Sequence, residues 1–166
     1  MNRKMSKKTH QTEFDLKKIK VHRTVEGTIF EIVAAVLLVV LWVLTIVLWQ
    51  KSDPVVATHF DLSGTPDGFG SRNHMFVTAV AGTLSTVLLL ISAYFPRHIN
   101  LPVGISNIRQ ATTAVRMVRV LAVTVALLFI GIPLSMTFGK MVPVAVFGIV
   151  IILIIAFYTY KIYKLK

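Results

Sequence analysis

Apolar positions in this chain do not alternate with polar ones over most of its length. They gather into four long blocks, at residues 29–49, 75–95, 120–138 and 142–160. Each block is 19–21 residues long, and Glu31 is the one charged residue in any of them. A helix needs roughly 20 residues to cross the hydrocarbon layer. Backbone polar groups find no water there, so each block must satisfy its own hydrogen bonds as a helix. The pattern predicts an all-α integral membrane protein, a bundle of four transmembrane helices. Buried helices of a soluble protein would each keep a wet face, and these blocks have none. The first block follows a basic stretch, like a signal peptide, but it is longer than the usual 7–15-residue apolar region. It is expected to stay as an uncleaved helix.

The organisation follows from the blocks. Residues 1–28 form a basic tail, 29–95 two helices joined by a loop at 50–74, and 96–119 a basic loop. Residues 120–160 form a helical hairpin, and 161–166 a basic end.

Charge then orients the bundle. The net charge is +11, with 18 Lys and Arg against 7 Asp and Glu. On a soluble domain that balance points to nucleic acid. Here 15 of the 18 basic residues lie before the first block, between the second and third, or after the fourth. The positive-inside rule places both termini and the middle loop in the cytoplasm. Topology accounts for the charge, and no nucleic-acid partner is expected. Trp49 falls at the outer edge, and Tyr94, Tyr158 and Tyr160 at the inner one, as interfacial aromatics do. The basic residues also make membrane lipid an expected partner. The chain has no cysteine, which excludes disulfides and thiolate chemistry.

Some features inside the blocks carry packing information. The second block holds Ala79, Ala81, Gly82, Thr83 and Ser85, small residues that let helices approach closely. It is expected to be the most buried of the four. Pro133 in the third block predicts a kink. Gly139-Lys140 before Pro143 predicts a short outer turn. Arg109, Arg116 and Arg119 share a helical face and are candidates for lipid headgroup contact. Glu31 either pairs with one of these arginines or reaches the interface.

The polar chemistry is concentrated at 50–74. This loop holds Asp53, Asp61 and Asp67, together with His59 and His74. Val55, Ala57, His59 and Asp61 alternate as in a short extended stretch. Pro66-Asp67-Gly68 suits a type I turn, and Gly64, Gly68 and Gly70 permit positive φ. Phe60, Leu62 and Phe69 are available to hold the loop against the bundle. His59, Asp61, Asp67 and His74 are candidate ligands for a divalent metal. Their spacing matches no metal signature, so the primary expectation is no cofactor, with His59 and Asp67 hydrogen-bonded within the loop. No catalytic constellation is present, and the chain is not expected to be an enzyme.

The loop resembles that of the SdpI-like family of membrane proteins. Members carry a Pro after the first helix, then His-Phe or His-Trp, an Asn, and Gly-x-Pro-Asp-Gly-aromatic-Gly-Ser-Lys. The matching positions are Pro54, His59, Phe60, Gly64, Pro66, Asp67, Gly68, Phe69, Gly70, Ser71 and Arg72. Ala57 stands where the family has a second Pro, Asp61 for its Asn, and Arg72 for its Lys. The likeness covers residues 30–95; beyond them the chain is similar only in being hydrophobic, and larger members have more helices. The resemblance implies a bacterial cell-membrane protein that protects against, or senses, a secreted toxic peptide. Binding would then involve His59, Phe60, Asp61, Gly64, Pro66, Asp67 and Gly68. The alternatives are an accessory subunit of a membrane transporter, which would make another membrane protein the partner, and a metal-binding membrane protein.

Overall fold

The computed structural model describes residues 24–96, 99 and 101–166. The basic tail lies outside them except for its last five residues. Six elements follow one another: α1 (Val25–Lys51), β1 (Val55–Phe60), β2 (Pro66–Ser71), α2 (His74–Ser92), α3 (Ile108–Phe138) and α4 (Val142–Lys164). All four helices are long and apolar enough to cross a membrane. The fold is thus an all-α bundle of four spanning helices, with one small β-hairpin on the loop between α1 and α2.

Helix ends are set by local chemistry. The Thr24 hydroxyl accepts from the Gly27 amide at 3.0 Å and caps α1, satisfying a donor that has no partner within the helix. Asn107 caps α3 by accepting from the Gln110 amide at 2.9 Å. Gly139, at φ 61°, ends α3 in the left-handed conformation that glycine adopts without penalty. α3 and α4 are therefore an antiparallel hairpin joined by the short turn that Gly139-Lys140 predicts.

α3 is the centre of the bundle. It packs against α1, α2 and α4. Half of its spanning window is buried, against 22% for α2. The expectation that α2 is the most buried helix fails, and the reason is geometric. In α2 the buried residues Met75, Ala79, Gly82 and Thr86 form one narrow stripe, and the helix packs chiefly on α3. α3 carries small or slender residues around much of its circumference, including Ala111, Ala114, Ala122, Ala126 and Gly131, all buried. It can therefore be approached from several sides.

α3 also begins earlier than its apolar block. The helix starts at Ile108, so Arg109, Arg116 and Arg119 project from it. Gln110 is fully buried here and ties this end down. Its Nε2 donates to the Ile162 carbonyl at 3.0 Å, and Asn107 Nδ2 donates to the Leu165 carbonyl at 2.8 Å. The start of α3 is thus clamped to the end of α4. α3 continues as one helix through Pro133.

Candidate functional site

Two polar clusters stand at opposite ends of the bundle, and each is built by a different local rule.

The first is the β-hairpin. β1 and β2 pair antiparallel, with Val55 opposite Ser71 and Phe60 opposite Pro66. The alternating stretch predicted from Val55 onward is β1. The turn, however, is not at Pro66-Asp67-Gly68, which lies within β2. It lies at 61–65 and is organised by Asp61. The Asp61 carboxylate accepts from the Ser63 amide at 2.8 Å, the Ser63 hydroxyl at 2.6 Å and the Thr65 amide at 2.9 Å. Gly64 supplies the positive φ of 83°. An Asp that bonds the backbone ahead of it makes a turn on its own. Pro66 is then free to open a strand, where no amide donor is required.

The Ser63 hydroxyl, followed by the amides, holds the Asp61 carboxyl below its ordinary value of 3.8. A depressed carboxylate pKa stabilises the folded turn above the ordinary value, and that contribution is lost as pH falls through the lowered one. The amides of Ser63 and Thr65 should therefore show exchange protection at neutral pH and lose it in acid, after correction for intrinsic rates. Asp61→Asn should remove that pH dependence. Unchanged acid loss in Asp61→Asn would exclude the carboxylate as its cause.

Across the hairpin, His59 Nδ1 lies 2.5 Å from Asp67 Oδ1. Both side chains are exposed. Gly68 stands opposite His59, where an added Cβ would meet the His59 Cβ at 2.8 Å. The role expected for Gly68 is thereby corrected: its φ is not positive, and it makes room for His59. Gly70 likewise faces Thr58 and His74. His74 turns to the Ser71 carbonyl at 2.8 Å. Of the four candidate metal ligands, only His59 and Asp67 are brought together. Among the described residues, no group of three or more His, Cys, Asp or Glu could hold a metal ion.

The hairpin is anchored by residues other than those expected. Leu62 and Phe69 are exposed, not docked on the bundle, and Phe60 is half-buried. Val56 instead enters a cluster with Leu48, Met75 and Met136. Arg72 lies over the Trp49 ring at 4.6 Å and donates to the Ser52 carbonyl at 2.8 Å. Trp49 in turn donates to Asn73 Oδ1 at 2.9 Å. The junctions on both sides of the hairpin are therefore pinned to the helix ends.

The second cluster lies at the opposite end, between α1 and α3. Arg116 pairs with Glu26, donating through Nε and, at 2.7 Å, through a terminal nitrogen. Arg119 is buried and lies 4.0 Å from Glu31. Tyr94 donates its hydroxyl to the same carboxylate. The guanidinium rests against Gly27, where a Cβ would come within 2.6 Å of it. Only Arg109 of the three arginines is exposed and free of an acidic partner on α1. Arg119 is turned into protein, not toward the lipid face, because Gly27 leaves a notch at its level. The sequence signals were the shared face of the three arginines and Glu31 as a partner for one of them; Glu26, Gly27 and Tyr94 are further members that the pattern did not mark.

Residues 36–83 match the family model of a domain of unknown function (DUF1648). The matched stretch takes in most of α1, the whole hairpin and the first half of α2. It therefore contains the His59–Asp67 pair but not the arginine cluster on α3. An uncharacterized protein of Archaeoglobus fulgidus is 29% identical over 76 residues, 41% of this chain and 42% of that protein. The chain thus spans about two fifths of that relative's length. No solved structure matches.

Proposed function

We propose that this small multi-pass membrane protein binds a secreted, membrane-active peptide through its hairpin, giving immunity to the peptide or sensing it, without catalysis. The carrying observation is the apolar surface of the hairpin. Leu62, Phe69 and Val55 are 109%, 66% and 60% exposed on an element with a self-bonded turn and pinned junctions. Large apolar side chains held out on an ordered polar element are available to an apolar partner. His59 and Asp67 stand beside them as the polar handles. The resemblance to the SdpI-like loop supports the same reading. The basic bias supports a cell-membrane topology with the hairpin outside and both termini in the cytoplasm.

Expression in a peptide-sensitive host tests this. Tolerance to a membrane-active peptide encoded by a neighbouring gene should rise. His59→Ala with Asp67→Ala, or Phe69→Ser, should remove most of that gain while the protein still reaches the membrane. Ser63→Cys should label with an impermeant maleimide on intact cells, and Ser106→Cys should not. Full tolerance in the variants would exclude the hairpin. A second reading, accessory subunit of a membrane transporter, draws support from α4, which buries only Ile162 among its described residues. Co-purification of transporter components without any gain in tolerance would favour it.

A further inference from the structure

α4 packs chiefly on α3, and its last turns leave an apolar groove. Pro102 and Val103, from the segment between α2 and α3, form one wall. Ile152, Ile155, Thr159 and Tyr163 form the other, spaced three or four residues apart along one stripe of α4, with Tyr160 beside them. The cavity measures about 660 Å³, within the range of small-ligand sites.

We propose that this groove is a binding site for one anionic phospholipid, with an acyl chain along the stripe and the phosphate at Lys164. Three observations select this occupant. Lys164 Nζ lies 5.0 Å from the centroid of the Tyr160 ring, which places a cation at the mouth of the groove. Lys161 is exposed one residue beyond Tyr160. The stretch 68–166, which forms both walls, contains no Asp or Glu, and Glu26 and Glu31 are engaged by Arg116 and Arg119 on another face of α3. Among the described residues no acidic side chain is paired with these lysines, and the groove thus joins an apolar trough to cations, matching the two halves of an anionic lipid. A second copy of the chain docked symmetrically here would bring these lysines face to face, and like charges across an interface are unfavourable. The lysines also offset the negative end of the α4 dipole, but that role needs no groove beside them.

Photo-crosslinking of the full chain in phosphatidylcholine vesicles tests the site. The probe is phosphatidylglycerol or phosphatidylcholine with a diazirine on its acyl chain, and adducts are mapped by mass spectrometry. Phosphatidylglycerol adducts should concentrate at 102–103 and 152–163 and exceed phosphatidylcholine adducts there several-fold. Lys164→Gln should bring that ratio toward one. Ile155→Trp should fill the groove and remove its adducts while leaving those on α1; Leu153→Trp, outside the groove, should leave both. Equal labelling by the two lipids, or adducts spread evenly over every exposed helix face, would overturn the proposal. Crosslinks joining two chains at 152–163 would also overturn it, in favour of a second copy.

Discussion

Arg119→Ala should lower the unfolding free energy of the bundle in mild detergent by about 3–5 kcal/mol, the scale on which removing one partner of a buried ion pair acts. The guanidinium is 93% buried and Glu31 is 82% buried, by side-chain exposures of 7% and 18%. At 4.0 Å the contact is an ion pair, and Nε and the nearer terminal nitrogen of Arg119 have no hydrogen-bond partner among the described residues. Those unmet donors matter for the sign of a second experiment. Deleting the cation alone takes its charge away from a carboxylate held inside the bundle. Replacing both charges, as Arg119→Met with Glu31→Gln, removes the unmet donors and leaves an acceptor for the Tyr94 hydroxyl. Such double replacements are often neutral or stabilising. The double variant should therefore melt at or above the wild-type Tm, while Arg119→Ala melts far below it. Arg116→Ala is the internal contrast. Its pair with Glu26 is about half exposed on both sides, and exposed pairs contribute about 0–1 kcal/mol. Equal losses for Arg116→Ala and Arg119→Ala would show that burial does not distinguish the two pairs.

The four spans were legible because a long uncharged run admits one backbone solution in lipid. The arginine cluster was legible only in part. Spacing placed Arg109, Arg116 and Arg119 on one face, but spacing cannot say which of them meets a neighbouring helix. That depends on Gly27, three residues into α1, which leaves a notch for a guanidinium from a residue 92 positions away. Tyr94 read as an interfacial aromatic, and its donation to Glu31 is a tertiary fact.

The hairpin shows a competition between two local turn signals. Pro66-Asp67-Gly68 fits a type I turn, and Asp61 with Ser63, Gly64 and Thr65 fits an Asp-organised one. The second prevails because it satisfies three donors with one carboxylate and places a glycine at the positive φ. Moving the turn five residues toward the N-terminus pairs His59 with Gly68 and brings the His59 and Asp67 side chains together across the strands. The hydrogen bonding expected of His59 and Asp67 within the loop is a bond between the two, across the strands. The shift also explains why the expected anchors fail. Val56 and Ala57 are buried, Val56 against Leu48, Met75 and Met136, while Leu62 is carried out at the tip and Phe69 sits exposed on β2.

Gly82→Ala should destabilise the protein by about 2 kcal/mol, the middle of the range for overpacking a filled interior. In α2 the stripe of Ala79, Gly82 and Thr86 faces the central helix. A Cβ on Gly82 would stand 2.6 Å from both Cβ and Cγ of Phe129 and 2.9 Å from its Cδ1. Those atoms lie close to the α3 backbone and cannot swing aside as a side-chain tip can. Relief requires α2 and α3 to separate, which loosens packing along the stripe, and packing is the main force joining helices in lipid. Alanine is the better helix former by about 0.8–1.0 kcal/mol, and the steric cost must exceed that gain for the prediction to hold. Gly148→Ala separates the two terms. Gly148 lies within α4, and a Cβ there would meet no atom within 4 Å. Only the propensity gain remains, so this variant should keep or raise the wild-type Tm. Thermal unfolding of the two variants in the same detergent should therefore move in opposite directions. A rise in Tm for Gly82→Ala would mean that α2 does not seat against Phe129.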